Sequence, residues 1–251
     1  MTNPRLIVVT GALEPGIGKA ITTRLLADGY KVLGSYEPSI TPDTVDLDDS
    51  SNLELVEVDH SDRASLNNLV AAVPDGEEVS GLVNGQFYFE MEDPDNFDFS
   101  IWDKSLAINL TAPNYLFHAL RRRLAESASI VTITSTEGFI GSFGASAYSA
   151  TKAAIHNLTK TLANNSGARG VRVNAVAAGW IGGVMDTDEV FNMSRSITPL
   201  GRLGAPEEVA AVVAFLLSSE SSFVNASVVV ADGGYSGVDT ISKYEFESGQ
   251  K

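Results

Sequence analysis

The sequence contains no cysteine, which excludes disulfide bonds, thiolate catalysis and cysteine-bound metals. It has only three histidines, which lie far apart and form no paired ligand motif, so we predict no metal site. No run of about 18 apolar residues could span a membrane, and the first residues lack the basic and long apolar regions of a signal peptide. We therefore expect a cytoplasmic protein.

Basic residues are also scarce. The chain carries 17 Lys and Arg against 32 Asp and Glu, for a formal net charge of −15. Nucleic acids and anionic membranes are bound by clustered cations. The one basic run, at 121–123, lies in a helix-like segment, where it is typical of a solvated face. We therefore expect that the protein binds neither nucleic acid nor a membrane.

What the 251 residues do contain is an alternation of short β-rich runs with longer amphipathic stretches. Apolar residues at helical spacing, such as Ile17, Ile21 and Leu25, lie in the stretches between the runs. This alternation predicts a parallel sheet covered on both faces, because parallel strands need crossover connections. We predict one doubly wound α/β domain over 1–251, with strands at 6–10, 31–35, 53–58, 79–84, 129–134, 171–176 and 227–231.

Two segments depart from this alternation. The stretch between Ser35 and Leu53 contains Pro38, Pro42 and five carboxylates but no apolar stripe, which predicts a loop or a single turn. The tail at 240–251 is predicted to be an exposed end or a subunit contact.

A glycine-rich stretch follows the first predicted strand. It contains Gly11, Gly16 and Gly18, with Ile17 opening the helical pattern. Glycines at such a turn let backbone N–H groups approach a pyrophosphate at the positive end of a helix. Taken alone, the stretch is equally consistent with a plain turn between a strand and a helix.

Glu37 lies nineteen residues beyond Gly18, just after the second predicted strand. A carboxylate there would accept hydrogen bonds from an adenosine ribose and repel a 2′-phosphate. No Lys or Arg lies between Gly11 and Gly18, or between Ser35 and Leu53. These residues favour NAD over NADP as the cofactor; the alternative is that Glu37 is an ordinary solvated residue.

Four polar residues form a candidate catalytic group. Tyr148 and Lys152 share one face of a predicted helix, and a nearby ammonium favours a phenolate, which can exchange a proton with an alcohol or ketone. Ser135 ends a predicted strand at the edge where open α/β sheets bind ligands. Asn109 lies within a helical pattern, where asparagine is unfavourable unless its side chain has a task. The alternatives are an idle surface pair, a strand-end serine and a polar helix position.

Together these features resemble the short-chain dehydrogenase/reductase family over essentially the whole chain. The resemblance rests on the glycine loop, the YxxxK step, a serine thirteen residues before the tyrosine, the ending LGRLGAPEEVAAVV, and three further landmarks: Asp59, Asn84 and Asn109. It implies a single Rossmann-type domain with a seven-stranded parallel sheet. In this family NAD(P) exchanges hydride with a carbonyl or a secondary alcohol.

The resemblance also implies roles for the candidate catalytic residues. Tyr148 would be the general acid/base, and Lys152 would lower the pKa of that tyrosine and bind the nicotinamide ribose. Ser135 would hold the substrate oxygen. Asn109 would fix a water molecule in a proton relay.

Further implied contacts concern the cofactor and the assembly. Asp59, with His60 beside it, would hydrogen-bond adenine, and Asn84 would lie near the adenosine ribose. The resemblance implies a homotetramer or homodimer whose interface is formed by the helices carrying Asn109 and Tyr148.

The sequence departs from the family pattern at three places around the cofactor. Residues 12–15 separate the first two loop glycines by one residue more than usual, and Glu14 adds a negative charge. The usual NNAG becomes NGQF at 84–87, and the usual PGxxxT becomes AGWIGG at 178–183. We expect an altered NAD pose, with the Ile181 N–H replacing a lost contact. The alternative is weakened cofactor binding and a different function.

Aromatic and other large apolar residues surround the expected substrate cleft. Those in the expected substrate lid at 180–198 are Trp180, Met185, Phe191 and Met193, and those outside it are Phe87, Phe139 and Phe143. They favour an apolar or ring-shaped small molecule. Arg195 is the only cation in the lid, which argues against a coenzyme A or carrier-protein thioester but leaves room for a single carboxylate.

The function expected is NAD-dependent interconversion of a secondary alcohol and a ketone. Two alternatives remain open. One is an isomerase or lyase on the same scaffold, and the other is a ligand-binding regulatory protein that has lost turnover.

Overall fold

A computed structural model describes residues 4–42, 51–183 and 186–249. Its strands form one parallel sheet with the order β3-β2-β1-β4-β5-β6-β7. The strands are β1 Leu6–Thr10, β2 Lys31–Tyr36, β3 Leu53–Glu57, β4 Val79–Asn84, β5 Leu124–Ser135, β6 Arg172–Ala178 and β7 Val228–Ala231. The predicted doubly wound sheet is confirmed. Its strand order reverses between β1 and β4, where such sheets open a ligand crevice.

The helices occupy the crossovers, where the sequence pattern predicted helices, except for the last one, which follows β7. They are α1 Ile17–Ala27, α2 Arg63–Ala71, α3 Phe99–Ser105, α4 Ala112–Leu120, α5 Glu137–Ile140, α6 Ser146–Ser166, α7 Asp188–Ile197, α8 Pro206–Leu217 and α9 Thr240–Ser248. A π-helical turn, Leu106–Thr111, joins α3 to α4. This turn carries one of the candidate catalytic residues.

Two apolar cores cover the two faces of the sheet. Side chains of α2, α4 and α6 form one core, and Leu6 and Val8 of β1 point into it. Side chains of α1 and α8 form the other, which receives Ile7 and Val9. This alternation follows the two-residue period of a strand, and it makes β1 apolar throughout because both of its faces are buried.

The predicted strand bounds are close to the observed ones except in β5. This strand begins at Leu124, five residues before the predicted start. Leu124 pairs with Val79 and Ser129 pairs with Gly81, so the pairing is irregular between these points. Ser127 has a positive φ of 64°. The polar residues in this irregular stretch hide the start of the strand from a pattern based on apolar runs.

The two segments that depart from the alternation have different outcomes. In the 35–53 stretch, the Ile40 N–H bonds the Glu37 carbonyl at 2.9 Å in a turn, while 43–50 lie outside the described residues. The tail contains α9, which the sequence pattern did not predict. Asp239 caps α9 by accepting from the Ile241 and Ser242 N–H groups at 3.0 and 3.1 Å, as N-cap aspartates do.

No helix in the described ranges combines the length and the apolarity needed to cross a membrane.

Candidate active site

The candidate site lies at the carboxyl ends of the parallel strands. Ser135 ends β5 and Asn84 ends β4, so both reach the same edge of the sheet. Helix α6 passes beside this edge and carries Tyr148 and Lys152. A close approach fixes α5 against α6, because a Cβ on Gly138 would lie 2.9 Å from the Lys152 carbonyl carbon.

Lys152 is buried beneath the tyrosine ring, with 3% of its surface exposed. Its Nζ donates to the Ile133 carbonyl oxygen at 3.1 Å and lies 5.2 Å from the Tyr148 ring centroid. Burial lowers the pKa of Lys152 to about 8, and the carboxylate of Glu137 opposes this shift. The ammonium has two further N–H groups, which are the donors available to a bound ligand.

The environment of Tyr148 differs from the one that the spacing suggested. Burial raises the pKa of the phenol, the Glu137 charge raises it further, and interaction with Ser135 lowers it. The pKa of Tyr148 is therefore raised overall and not lowered, as was expected from the nearby Lys152, because desolvation and a carboxylate both penalise the phenolate. This environment favours the neutral phenol, the form that donates a proton. Phe89 packs its ring edge-on against Tyr148 at a centroid distance of 5.2 Å.

Asn109 lies in the π-helical turn, and such turns are frequent at functional sites. Its Oδ1 accepts from the Tyr88 N–H at 2.7 Å, and its Nδ2 donates to the Tyr88 carbonyl at 2.9 Å. Nδ2 also lies 3.2 Å from the Thr151 hydroxyl on α6. Asn109 thus joins the segment after β4 to the helix that carries the tyrosine and the lysine.

The glycine loop has the shape that a phosphate cradle requires. Gly11 and Gly16 have φ angles of 68° and 81°, a region that side chains disfavour. A Cβ on Gly18 would lie 2.0 Å from the Gly11 carbonyl oxygen. Gly16 begins α1 without a side-chain cap, so the positive end of the helix remains open to a pyrophosphate. These residues fit a dinucleotide.

The other two departures from the family pattern lie in contact with this lengthened loop. The Gln86 Nε2 donates to Glu14 Oε1 at 3.3 Å, which joins the NGQF segment to the loop. A Cβ on Gly183 would lie 3.4 Å from the Cα of Gly16, so the AGWIGG segment also lies against the loop. The altered segments therefore form one connected surface around the expected pyrophosphate position.

Glu37 and His60 form a pair beside the glycine loop. The His60 Nδ1 lies 2.6 Å from Glu37 Oε1, and its Nε2 lies 2.8 Å from the Ser35 hydroxyl. Burial raises the pKa of nearby Glu14, and the Glu37 charge raises it further. The carboxyl groups of Glu14 and Glu37 are therefore close enough to interact.

Asp59 and Asn84 each make a local side-chain hydrogen bond. Asp59 Oδ1 accepts from the Ser61 N–H and hydroxyl at 2.8 and 2.6 Å, which contributes to its lowered pKa. The Asn84 Nδ2 donates to the Thr132 hydroxyl at 3.0 Å. Asn84 thus ties β4 to β5 at the site edge.

The segment after β6 follows the edge of the site. Gly204 bonds the residues on both sides of Ile181, at 2.9 Å each, in a single parallel bridge. This pairing leaves the Ile181 N–H pointing away from the bridge. Met185 lies outside the described residues. The other aromatic and methionine side chains named above are exposed: Phe87, Phe139, Phe143, Trp180, Phe191 and Met193.

Sequence reasoning missed two residues of the site, namely Glu137 and Phe89. Glu137 stands two residues after the candidate serine, and this short spacing was the signal that could have found it. The position of Phe89 depends on the contact between Tyr88 and Asn109, two residues that are distant in sequence. Among the described residues, no group of three or more His, Asp or Glu could hold a metal ion.

The parallel sheet, the glycine cradle and the Ser-Tyr-Lys group together define a Rossmann-type oxidoreductase. The family model described as enoyl-(acyl carrier protein) reductase matches residues 11–236. The chain belongs to the short-chain dehydrogenase/reductase family, whose members use a nicotinamide cofactor.

Curated relatives include a cis-4-hydroxycyclohexanecarboxylate dehydrogenase from Sinomonas cyclohexanicum, 36% identical over 248 residues that cover 93% of this chain and 97% of the relative. An acetoacetyl-CoA reductase from Rhizobium meliloti is 34% identical over 243 residues, which cover 92% and 98%. A similar solved structure is a blue fluorescent protein from a metagenomic library in complex with NADPH. It has a TM-score of 0.82 and 26% identity, and covers 93% of this chain and 98% of that one.

Proposed function

We propose that this protein is an NAD-dependent oxidoreductase that interconverts a secondary alcohol and a ketone of a small ring-shaped or apolar molecule. The observation that carries the proposal is the buried Lys152 ammonium, 5.2 Å from the centre of the Tyr148 ring, beside the end of β5. In the proposed reaction, the phenol and the serine hydroxyl meet one substrate oxygen, with the ammonium beside them.

Each residue then has a separate task in the reaction. Bound NAD or NADH supplies the acceptor or donor of the hydride. The Tyr148 phenol donates a proton to a ketone oxygen, or takes one from an alcohol in the reverse direction. The Ser135 hydroxyl holds that oxygen in place. Lys152 binds the nicotinamide ribose with its free N–H groups, and Asn109 holds a water molecule that connects the lysine to solvent.

The preference for NAD rests on the acidic residues beside the glycine loop. Gly11, Gly16, Ile17 and Gly18 would hold the pyrophosphate, and the Ile181 N–H would bind the nicotinamide carboxamide. Glu37 would bind the adenosine ribose, and Glu14 would add to the negative charge there. A 2′-phosphate would be repelled by both carboxylates.

Two other contacts complete the proposed cofactor site. Asp59 and His60 would border the adenine, and Asn84 would hold the end of β4 close to the adenosine ribose. The cofactor would then lie across the crevice where the strand order reverses.

Replacing Glu37 with arginine should shift the preference toward NADP. The substitution removes a repelling carboxylate and adds a donor fork suited to phosphate. We expect the ratio of the NADPH to NADH dissociation constants to fall by about tenfold or more. Fluorescence titration of both reduced cofactors measures this ratio. Glu126→Arg makes the same charge change in β5, far from its carboxyl end, and should leave the ratio unchanged. An unchanged ratio in Glu37→Arg as well would remove Glu37 from the ribose site.

The substrate class follows from the exposed aromatic residues and the shortage of cations. One similar protein is a dehydrogenase of a hydroxycyclohexane carboxylate, and another is a reductase of a coenzyme A thioester. The lid offers Arg195 as its single lysine or arginine side chain in the sequence. That charge suits one carboxylate at most, so a small ring fits this chain better than a thioester with several phosphates.

A direct assay tests the proposal. Wild-type protein should oxidise NADH with cyclohexanone and reduce NAD with cyclohexanol, with one reduced cofactor consumed or formed for each molecule converted. Conversion without a net change in nicotinamide absorbance would favour an isomerase or lyase. Failure to bind NADH or NADPH at about millimolar concentration would instead favour a regulatory protein.

We further propose assembly into a homotetramer or homodimer through the helical segments that carry Asn109 and Tyr148. Light scattering during size-exclusion chromatography measures the mass. A monomer at the concentrations used for the assay would contradict this assembly.

A further inference from the structure

Glu137 is a carboxylate fixed beside the proposed reacting groups. It is the first residue of α5, and its backbone N–H donates to the Ser135 Oγ at 3.2 Å. The next residue, Gly138, has no side chain, so α5 lies directly on the backbone of α6. The position of the carboxyl is therefore set by the same two elements that place Ser135 and Tyr148.

One oxygen of this carboxyl is left without a hydrogen bond. The Oε2 atom is buried and has no partner among the described residues, while Ser142 interacts with the carboxyl group. Buried acceptors in native proteins are nearly always satisfied, and an orphan calls for an explanation. At Glu137 the site thus lacks a hydrogen-bond donor.

The charges around Glu137 restrict the chemistry of that donor. The carboxylate repels an anion. The Lys152 ammonium, which interacts with the same carboxylate, repels a second cation. A neutral O–H group satisfies the acceptor without either repulsion. Phe89, which packs edge-on against Tyr148, supplies apolar surface for the carbon atoms that carry such a group.

We propose that Glu137 binds a second hydroxyl group of the substrate, so that the substrate is a hydroxylated ring ketone or the corresponding diol. This inference rests on the proposed oxidoreductase function. The substrate carbonyl oxygen lies on Ser135 and Tyr148, and the second hydroxyl donates to Glu137 Oε2. Because the serine and the glutamate are two residues apart and hydrogen-bonded, the two substrate oxygens belong on one small ring.

The experiment compares matched ketones that differ by one hydroxyl. Wild-type protein is assayed with cyclohexanone and with 2-, 3- and 4-hydroxycyclohexanone, using NADH and NADPH. At least one hydroxyketone should have a kcat/KM about tenfold or more above that of cyclohexanone, because a site with an orphan acceptor discriminates against a ligand that lacks the donor. Glu137→Leu should lower the ratio of kcat/KM for that hydroxyketone to kcat/KM for cyclohexanone about 10-fold or more, because the effect of the lost charge on Tyr148 and Lys152 is common to both ketones.

Two further variants separate recognition from packing. Phe139→Leu alters an exposed apolar side chain of the same short helix, α5, without removing an acceptor, and should change kcat/KM for both substrates by the same factor. Glu137→Gln keeps an acceptor oxygen and the shape of the side chain, so it should retain part of the selectivity even if Glu137→Leu folds poorly. Circular dichroism and thermal melting check the fold of each variant.

The outcomes distinguish this inference from the function on which it rests. Wild-type protein that reduces none of these ketones with either cofactor contradicts the proposed function and the inference with it. Wild-type protein that reduces cyclohexanone at least as well as every hydroxyketone overturns only the assignment of Glu137. An unchanged substrate ratio in Glu137→Leu overturns it as well.

Discussion

Replacing Tyr148 with phenylalanine is expected to lower kcat/KM for ketone reduction by about 1,000-fold, within the range that positioned general acids contribute. The change removes one hydroxyl and leaves the ring, which can still pack edge-on against Phe89. The proton that the ketone oxygen needs must then come from water. Steady-state assays measure the loss, and fluorescence titration should show that NADH still binds with an affinity close to that of the wild type.

The control is Tyr30→Phe, which removes a tyrosine hydroxyl at the opposite edge of the sheet. Tyr30 lies just before β2, and its hydroxyl accepts a hydrogen bond from Arg5 at 2.8 Å. This variant should lose little activity, and its thermal stability should change only modestly because the pair is partly exposed. Full turnover by Tyr148→Phe would remove the tyrosine from the chemistry. A loss of NADH binding would show that its ring or hydroxyl supports the cofactor instead.

The sheet could be predicted because its signal is local. Runs such as Leu6–Thr10 are apolar throughout because both faces of the parallel sheet are buried. Their alternation with helical periodicity left few possible topologies. The start of β5 and the whole of α9 could not be predicted in this way. At the start of β5, polar residues interrupt the apolar pattern. Helix α9 is exposed and packs no apolar stripe against the core.

The positions of the candidate site residues could be predicted from the sequence, but the pKa shifts of their side chains could not. Spacing placed Tyr148 and Lys152 on one face of a helix, and in the structure they lie together. Sequence spacing does not report desolvation, so the raised pKa of the tyrosine was not foreseen. The contact between Glu14 and Gln86 joins residues far apart in sequence. It could be suspected only from the fact that both positions depart from the family pattern.

The second large effect concerns Lys152, where stability and activity should move in opposite directions. Burial of this ammonium is unfavourable, as its pKa of about 8 in the folded chain indicates. Methionine fills a similar volume without a charge, as in other replacements of buried charges by apolar residues. Activity, in contrast, should fall. Lys152→Met should lower kcat/KM by about 100-fold or more, because it removes a cation placed beside the reacting groups.

The same variant should unfold at a higher temperature than the wild type. We expect a gain of about 1 kcal/mol at pH 7, or roughly 2–4 °C in Tm for a chain of this size, after the lost bond to Ile133 and the lost attraction to Glu137 are subtracted. The sign of this difference in stability between Lys152→Met and the wild type depends on pH. The unfolded lysine keeps its proton up to 10.5, whereas the folded one releases it near 8, so the stability of the wild type rises relative to the variant across this interval. The advantage of Lys152→Met should be largest below pH 8, and the wild type should be the more stable form at pH 9.5. Melting curves at pH 7 and 9.5 measure both values. A lower Tm for the variant at pH 7 would mean that the attraction of Glu137 and the bond to Ile133 outweigh the desolvation of the ammonium.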